Sequence, residues 1–563
     1  MRTPLDCLQH WVQQCPDDVY LSQPQGDGQV KDYTWRDVDN QARRVAKHLR
    51  QLDLPPGSHI VLLGKNSAHW IMADLAIWMA GHVSVPMYAT LNAESAAYVL
   101  DHCEAKLLFV GRMDELWADM APAIPPTLPC ITLPLAPQID GTRWDDIVAR
   151  TPPLQDLSKP APQDVATLIY TSGSTGHPKG AMISFGAMMA LRRISEVFEV
   201  SRDDRLLSYL PLAHTLERAL VEIMSLMNGV QVHFAYSLDT FRDDLLRARP
   251  TVFVSVPRLW AKFYQGVCAQ LPPSRQKWMF ATPLLGGFLR KKILKQLGLD
   301  QVRVALTGSA PLAPALIDWY RGLGLELLEG YGMTENFAYS HTSLAGRSRV
   351  GYVGHANPGV VQRINPHNSE IEVKSPAMML GYYKAPELTQ EVFTADGFLK
   401  TGDMGELDEQ SRLKITGRIK ELFKTCNCKY VAPQPIEKYL ADHPAVGMVC
   451  VTGVGLPQPL AIVSLADEVQ AQLDAGEVSV HRLKEELEQL LITVNAALDA
   501  HEKLDYIVIA PNAWTMQNGL LTPTMKSRRP QIEASYTSHF DTWAARREPV
   551  VWAATHTTSR TAQ

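Results

Sequence analysis

The eleven residues Tyr170-Thr-Ser-Gly-Ser-Thr-Gly-His-Pro-Lys-Gly180 decide the fold of this chain. They overlap the end of an apolar, β-rich run, Val165–Tyr170, which predicts a buried strand. Glycines let backbone N–H groups turn toward a ligand, while the hydroxyls and the cation of Lys179 add donors and positive charge. Such a loop suits a polyphosphate. A serine- and glycine-rich turn between two strands is the alternative interpretation.

Length and composition restrict the class of protein. A chain of 563 residues predicts two or more domains, and 46% apolar with 20% charged residues predicts large cores rather than disorder. The net charge of −5 gives no reason to propose a nucleic acid partner. Eight scattered cysteines and an N-terminus without a signal peptide predict a reducing, cytoplasmic location. Only Cys426 and Cys428 are close together, and no second pair completes a zinc site.

Two segments bear on membranes. The apolar run Trp70–Pro86 approaches the length of a membrane span, but it carries Asp74, Gly81 and His82 and ends in β-branched residues. It therefore predicts a buried helix that passes into a buried strand. The basic run Arg290–Lys295 predicts a helix with a solvated face, with contact to a membrane surface as the alternative. We expect a soluble protein with at most peripheral membrane contact.

Helix and strand patterns alternate along most of the chain. Thr34–Asp37 forms a capping box that opens an amphipathic helix, and Gly57–Gly64 predicts a short buried strand. Ser184 is a candidate N-cap for a helix that runs to about Val200. This alternation predicts α/β layers with mostly parallel strand pairing.

The pattern changes near Lys400, where short strands and glycine turns begin, and it restarts at Arg418 as a small α+β unit. That unit contains a long amphipathic helix over about Val480–Leu498, and the chain beyond about Val551 is small and polar. We therefore expect a large N-terminal α/β domain with stacked sheets over residues 1–417. A small C-terminal α+β domain would cover 418–545, followed by a loose tail over 546–563.

The central stretch is not a Walker loop, because Pro178 stands where the second glycine of G-x-x-x-x-G-K-[ST] belongs. It resembles the phosphate-binding signature of the acyl-adenylate-forming superfamily, Y-T-S-G-S-T-G-x-P-K-G, at every specified position. Further motifs follow in the order and rough spacing of that superfamily, over about residues 10–540: Tyr331–Glu335, Lys400–Asp403, Gly417–Arg418 and Lys526. Three stretches look most like bacterial long-chain fatty acyl-CoA synthetases: Leu210–His214, Leu328–Asn336 and Leu521–Lys526.

The resemblance implies an AMP-forming acid–thiol ligase. Such enzymes join a carboxylic acid to AMP, expel pyrophosphate and pass the acyl group to a thiol. ATP, Mg²⁺ and CoA would be the cofactors, and a long-chain fatty acid and CoA the partners. An acyl-AMP ligase that loads a carrier protein or another acceptor is the alternative, and an inactive acyl- or nucleotide-binding protein is a remote one. The joint presence of Lys179, Glu335, Asp403 and Lys526 argues against an inactive protein.

The resemblance also implies the nucleotide site. The nucleotide-binding positions would be Thr171, Ser172, Gly173, Ser174, Thr175, Gly176, Lys179, Gly308, Ser309, Ala310, Gly330, Tyr331, Gly332, Asp403 and Arg418. Asp403 would accept both ribose hydroxyls, as a carboxylate can. Thr171 and Glu335 would hold Mg²⁺, which takes few carboxylates and keeps waters and phosphate oxygens. As alternatives, Asp403 is a turn residue, Glu335 caps the next helix and Tyr331 belongs to the core.

Three further residues would act in catalysis according to the same resemblance. Lys526 would bridge the acyl carboxylate and the α-phosphate, Thr334 would contact the α-phosphate, and His214 would lie near the acyl or thiol path. A solvated lysine and a structural histidine are the simpler interpretations. The second domain would be mobile, rotating at a hinge at Lys420 between the two half-reactions.

One loop departs from the family pattern. Where the family usually has a small residue and two glycines along the path of the CoA thiol, this chain has Cys426, Asn427 and Cys428. A cysteine at positive φ would cost about 1–2 kcal/mol, and its side chain adds bulk. Either the loop shifts slightly and CoA still binds, or transfer to CoA is weakened and acyl-AMP passes to another acceptor.

Overall fold

The computed structural model describes residues 3–171, 177–282, 285–308, 312, 314–427, 429–522 and 525–553. Within these residues an eight-stranded sheet forms the largest layer. In spatial order its strands are Gly381–Tyr382, Lys179–Ser184, Val165–Thr171, Val83–Met87, His59–Leu63, Leu107–Val110, Cys130–Thr132 and Thr142–Arg143. The six strands from Val165–Thr171 onward pair in parallel, and the first two pair antiparallel.

Three further sheets complete the part of the chain up to Arg418. The five-stranded sheet contains Val252–Ser255, Val304–Thr307, Leu327–Tyr331, His341–Thr342 and His355–Ala356. One four-stranded sheet contains Arg205–Ser208, Gln231–Phe234, Val19–Pro24 and Val30–Thr34. The other contains Val361–Ile364, Glu370–Lys374, Leu399–Leu407 and Leu413–Arg418, all antiparallel.

The chain after Arg418 forms its own small layers. Phe423–Lys424 pairs with Tyr430–Val431, and a mixed sheet contains Val446–Thr452, Leu460–Leu465, Ile507–Ile509 and Val550–Trp552. A separate cluster of buried residues, from Phe423 to Val550, lies between this sheet and its helices. The predicted fold class is confirmed: a large N-terminal α/β part and a smaller C-terminal α+β part. The exact boundary at residue 417 stays a prediction.

Helices cover the sheets. Those before Arg418 are Pro4–Gln14, Trp35–Gln51, Ala68–Ala80, Ala93–His102, Trp117–Met120, Trp144–Arg150, Phe185–Met189, Arg192–Val197, Thr215–Glu217, Met224–Asn228, Phe241–Ala248, Pro257–Gln270, Pro273–Ala281, Leu285–Gln296, Pro314–Leu323 and Pro386–Val392. Those after it are Pro433–Ala441, Asp467–Asp474, Val480–Ala496, Arg529–Tyr536 and Phe540–Ala545. Arg218–Ile223 is a π-helical turn, and short 3₁₀ turns include Thr334–Asn336 and Ile419–Glu421.

Several local predictions are confirmed. The Thr34 hydroxyl accepts the N–H of Asp37 at 3.1 Å, and the Asp37 carboxylate accepts the N–H of Thr34 at 3.0 Å, which is the predicted capping box. The apolar run becomes the fully buried helix Ala68–Ala80 and the buried strand Val83–Met87. None of the helices in the described ranges is both long and apolar enough to cross a membrane.

Two local predictions are wrong. Ser184 does cap a helix, but that helix ends at Met189, and a second one, Arg192–Val197, follows after a break. The loose tail was placed too early, because Val550–Trp552 is a strand paired with Ile507–Ile509. Val550 and Val551 are fully buried there, so β-branched side chains at the end of the chain complete the C-terminal core.

A buried charge cluster joins four elements: the turn Arg218–Ile223, the helix Ala68–Ala80 and the strands Val165–Thr171 and Val83–Met87. Its centre is Arg218, whose side chain has no solvent exposure. The guanidinium donates to Asp74 Oδ2, to Glu222 Oε2 at 3.1 Å, to Thr167 Oγ1 at 2.7 Å and to Ser84 Oγ at 2.9 Å. Burial and the Asp74 carboxylate raise the pKa of Glu222 well above its usual range. We infer a protonated Glu222 that donates to Asp74, which leaves one positive and one negative charge.

Candidate active site

The signature forms the turn of an antiparallel hairpin. Strand Val165–Thr171 pairs with Lys179–Ser184, and Thr171 lies directly opposite Lys179. Next to this pair, His177 stacks on Tyr98 with ring centroids 4.6 Å apart. The predicted nucleotide residues Ser172, Gly173, Ser174, Thr175 and Gly176 lie outside the described residues. The hairpin thus delivers a hydroxyl and a cation to the same edge of the eight-stranded sheet.

Tyr382 connects Lys179 with Glu335. The Tyr382 hydroxyl donates to Glu335 Oε1 at 2.6 Å, and its ring lies 5.5 Å from Lys179 Nζ. The Glu335 carbonyl also accepts the N–H of Met379 at 2.8 Å. Burial, followed by the charge of Glu335, raises the pKa of Tyr382, so the phenol stays a donor. Sequence reasoning missed this residue, although an aromatic pair directly after Gly381 was a visible signal.

The donor set near the hairpin suits magnesium bound mainly through phosphate and water. In the described part of the chain, no three histidine, cysteine or acidic side chains come together as a metal cluster. Glu335 supplies one carboxylate that is already held by Tyr382, and Thr171 supplies a hydroxyl. Mg²⁺ on a nucleotide takes one or two carboxylates and keeps phosphate and water oxygens, so these two residues fit it.

Thr334 and His214 approach each other from different sheets. The Thr215 hydroxyl donates to Thr334 Oγ1 at 3.1 Å, which joins the His214 segment to the turn Thr334–Asn336. Nδ1 of His214 accepts the N–H of Leu216 at 3.2 Å. Burial, and then the charge of Lys526, lower the pKa of His214 to about 4. The imidazole is therefore neutral, with its proton on Nε2.

Asp403 is the centre of a hydrogen-bonded triad. The Tyr331 hydroxyl donates to Asp403 Oδ2 at 2.7 Å, and Arg418 Nε donates to Oδ1 at 2.9 Å. Asp403 and Arg418 face each other in neighbouring strands, and Asp403 is 5% exposed. The alternative of a turn aspartate is wrong, because Asp403 lies inside the strand Leu399–Leu407. Both carboxylate oxygens are thus oriented by residues that the sequence had selected.

Two glycines leave a surface without side chains beside this triad. Gly308 follows the strand Val304–Thr307, and a Cβ placed on it would lie 3.2 Å from the carbonyl oxygen of Gly330. A Cβ on Gly332 would lie 2.6 Å from the backbone of Ala338. A side chain at Gly332 is therefore excluded by the backbone, and one at Gly308 would require the Gly330 carbonyl to shift. The predicted positions Ser309 and Ala310 lie outside the described residues.

Glu329 is a second residue that sequence reasoning missed. It directly precedes Gly330, its side chain is buried, and its backbone carbonyl accepts the N–H of Ser343 at 2.8 Å. Burial raises the pKa of Glu329 to about 7, and the charge of Lys438, from the C-terminal part, opposes that shift. An acidic residue inside the apolar run Leu327–Tyr331 was the signal in the sequence.

The C-terminal part contributes Lys526 to the same crevice. Its side chain is accessible to solvent, and its backbone is held by a turn in which Thr522 Oγ1 accepts the Lys526 N–H at 3.0 Å. Although the side chain reaches solvent, the protein around it partly desolvates the ammonium group. This desolvation, and then the charge of Arg418, lower the pKa of Lys526 to about 8, while Asp403 opposes the shift. The cation that the sequence singled out therefore lies within electrostatic range of Asp403, Arg418 and His214.

The comparison with known families follows the same two-part division. The AMP-binding enzyme family matches residues 8–383, and the AMP-binding enzyme C-terminal domain matches residues 421–548. The chain belongs to the AMP-binding enzyme family. This AMP-binding enzyme is 31% identical to the peroxisomal long chain acyl-CoA synthetase 7 of Arabidopsis thaliana, over 94% of this chain and 85% of the relative. It is 30% identical to the long-chain-fatty-acid–CoA ligase FadD15 of Mycobacterium bovis, over 93% of this chain and 94% of the relative.

Solved structures agree on the fold. The adenylation domain of a carboxylate reductase from Mycobacterium chelonae superposes with a TM-score of 0.78 at 23% identity, covering 96% of this chain and 91% of that domain. The anthranilate CoA ligase AuaEII, in complex with anthranoyl-AMP, superposes with a TM-score of 0.77 at 21% identity, covering 95% and 97%. At these identities the likeness establishes the fold of the AMP-binding enzyme.

The segment expected to act as a hinge is a short exposed turn. Lys420 is exposed within the 3₁₀ turn Ile419–Glu421, directly after the strand that carries Arg418. Its position between the two parts of this AMP-binding enzyme is compatible with a hinge, and that role stays a prediction.

The loop that departs from the family pattern is unstrained where it is described. The Cys426 N–H donates to the Leu456 carbonyl at 2.9 Å, and Asn427 Nδ2 donates to the Pro457 carbonyl at 3.3 Å. Neither residue belongs to those with positive φ. The strain expected of a cysteine at a glycine position concerns Cys428 and stays a prediction. Backbone and amide contacts to residues 456 and 457 hold the loop in an ordinary conformation. Cys428 lies outside the described residues.

Proposed function

We propose that this chain is an ATP- and Mg²⁺-dependent ligase that activates a long-chain fatty acid as acyl-AMP and then forms acyl-CoA. The observation that carries the proposal is the approach of Lys526 to the Tyr331–Asp403–Arg418 triad. A cation beside a carboxylate-lined nucleotide site is what the union of two anionic substrates requires. The near full-length similarity to curated long-chain fatty acid ligases supports the choice of substrate.

In this proposal the triad holds the ribose and the glycine surface holds the base. The two oxygens of Asp403 accept the ribose hydroxyls, with Arg418 beside the ribose and α-phosphate. Adenine lies between the Gly308–Gly330 surface and the ring of Tyr331.

Phosphate and magnesium belong at the hairpin edge. Lys179 and the signature loop hold the departing phosphates, while Glu335 and Thr171 hold Mg²⁺, which neutralises phosphate charge when bound. Tyr382 orients Glu335 and lies beside Lys179, so one side chain sets the position of both. Thr334, joined to Thr215, contacts the α-phosphate.

Lys526 neutralises the charge that builds up as the fatty acid carboxylate attacks the α-phosphate. The neutral His214, with Nε2–H available as a donor, lies near the acyl path. Rotation at Lys420 then removes Lys526 and presents the loop around Cys426 for the thiol step.

The acceptor of the acyl group is either CoA or a carrier protein. The absence of positive φ at Cys426 and Asn427 supports a loop that still admits CoA. A carrier protein is the second candidate, because Asn427 and Cys428 stand where the family pattern has two glycines and Cys426 where it has a small residue. Free thiols at all seven cysteines in the described ranges agree with the proposed cytoplasmic location.

The function is tested by pyrophosphate release with a panel of fatty acids, combined with mass spectrometry of the products. We expect release that depends on a long-chain acid, ATP and Mg²⁺, and acyl-CoA as the product when CoA is present. Accumulated acyl-AMP that the variant Asn427→Gly, Cys428→Gly converts to acyl-CoA would instead favour another acceptor. No acid-dependent release with any acid of the panel would refute the ligase.

Asp403→Ala should weaken the use of ATP. Loss of a charge-assisted contact to the ribose costs about 1.5–3 kcal/mol, so we expect kcat/KM for ATP to fall by about 10- to 150-fold. Steady-state kinetics at varied ATP measure this. Asp408→Ala is the matched control, because Asp408 belongs to the same hairpin and pairs with Arg349 and Arg412 instead. If both variants have the same KM for ATP, Asp403 does not hold the ribose.

A further inference from the structure

A pair of helices outside the active site presents large aromatic side chains to solvent. The helices are Pro273–Ala281 and Leu285–Gln296, here called the helical hairpin. Trp278 on the first helix is 75% exposed, and Phe288 on the second is 70% exposed. A tryptophan and a phenylalanine held in water by the same pair of helices indicate a surface that meets an apolar partner.

Basic residues share the exposed face of the second helix. Phe288, Lys291, Lys292 and Lys295 follow the i, i+3, i+4, i+7 spacing of one helical face, and all four are exposed. On the opposite side Ile293 is 5% exposed and packs in the core beneath. Arg275 precedes Trp278 by three residues and is exposed as well. The outer surface of the hairpin therefore combines cations with aromatic rings.

Hydrogen bonds fix the helical hairpin to the rest of the domain, so its outer surface keeps one orientation. Gln276 donates to the Leu271 carbonyl at 2.6 Å and accepts the indole N–H of Trp319 at 2.7 Å. Arg290 donates to the Phe280 carbonyl at 2.9 Å, which joins the two helices. The side chains that anchor the hairpin are thus different from those that face solvent.

The charged residues in and around the helical hairpin are almost all positive. Residues 245–299 contain ten lysine and arginine residues and no aspartate or glutamate, in a chain whose net charge is −5. Arg247, Arg249 and Arg258 pair with Asp244, Asp300 and Asp467. The exposed cations of the hairpin itself, Arg275, Lys291, Lys292 and Lys295, form no ion pair with a described carboxylate, so the potential over the hairpin is positive. The complementary partner is a surface that is both anionic and apolar.

We propose that the helical hairpin docks this protein on the surface of an anionic lipid bilayer. Lys291, Lys292 and Lys295 lie at the level of anionic headgroups, and Trp278 and Phe288 enter the boundary between headgroups and acyl chains. Tryptophan favours that boundary, because its ring is apolar and its N–H is polar. A soluble polyanion would attract the lysines but would offer no apolar surface to the exposed aromatic rings. A bilayer provides both interactions and therefore fits better.

The test is sedimentation of the full chain with vesicles, without fatty acid or ATP. We expect binding to vesicles that mix phosphatidylglycerol with phosphatidylcholine, weak binding to phosphatidylcholine alone, and weakening by salt. The triple variant Lys291→Glu, Lys292→Glu, Lys295→Glu should bind at least about 100-fold more weakly. Trp278→Ala with Phe288→Ala should weaken binding by about tenfold or more.

Matched controls test whether the position of the substituted residues matters, or only the change in total charge and exposed apolar area. Lys106→Glu, Lys374→Glu, Lys503→Glu reverses the same number of charges on lysines that are exposed elsewhere, and Leu238→Ala removes an apolar side chain that is 92% exposed outside the hairpin. Both controls should keep binding within about threefold. Three outcomes would each overturn the proposal. The control variants could lose as much vesicle binding as the hairpin variants, the wild type could bind heparin but not vesicles, or the wild type could fail to bind vesicles. Because the assay contains no substrate, its result is independent of the proposed ligase activity.

Discussion

Replacement of Lys526 by alanine is expected to lower acid-dependent pyrophosphate release by about 1000-fold. The reason is that Lys526 is the cation brought by the C-terminal part to the Asp403–Arg418 crevice, where two anionic substrates must meet. The second half-reaction, from supplied acyl-AMP and CoA to acyl-CoA, should stay within about threefold of the wild type, because it uses the rotated domain. Single-turnover assays of each half-reaction measure the two rates separately.

The pH dependence gives an independent check on the same residue. Lys526 acts as a cation, and its pKa is lowered to about 8, so its charge is lost as the pH rises through that value. For the wild type, kcat/KM of adenylation should therefore fall above about pH 8, and this limb should disappear in Lys526→Ala. Lys503→Ala, at an exposed lysine of the same part of the chain, should change neither rate. Equal losses in both half-reactions of Lys526→Ala would show that it acts on something common to both steps.

Arg218→Met is expected to be the most destabilising of the substitutions considered. It leaves the Asp74 carboxylate without its cation at a site with no solvent exposure. Removal of one partner from a buried ion pair costs about 3–5 kcal/mol. We expect a clearly lower midpoint of thermal unfolding, followed by circular dichroism. Adding Asp74→Leu should recover part of the loss, because the unpaired charge is then gone.

Glu222→Gln is the matched control for that experiment. If Glu222 is protonated and donates to Asp74, a glutamine amide can replace it at a cost of about 1 kcal/mol or less. A loss as large as that of Arg218→Met would mean that Glu222 carries a negative charge and that the cluster is balanced differently. The cluster lies four residues from His214, so its loss should also disturb adenylation.

Sequence signals that act over short distances predicted their structures well. The Thr34–Asp37 capping box and the buried helix before Val83 depend on neighbours along the chain, and both formed as expected. Where a local signal was extended too far, it failed: the helix capped by Ser184 breaks after Met189. The prediction of a loose tail was wrong for a different reason. Val550 is held by pairing with a strand that is distant in sequence.

The sequence by itself determined the buried strand that enters the signature and the α/β class, because both depend on residue types at short, regular spacings. The site residues that it selected follow from family motifs, and their roles stay predictions. Only the tertiary structure decided which of them meet. Tyr331 and Asp403 bond across 72 residues, and Arg218 and Asp74 across 144. Tyr382 and Glu329 have no motif of their own, and their importance comes from the carboxylate and backbone groups that folding brings beside them. Hydrogen bonds and charge interactions depend on distance in space, and spacing along the chain does not encode that distance.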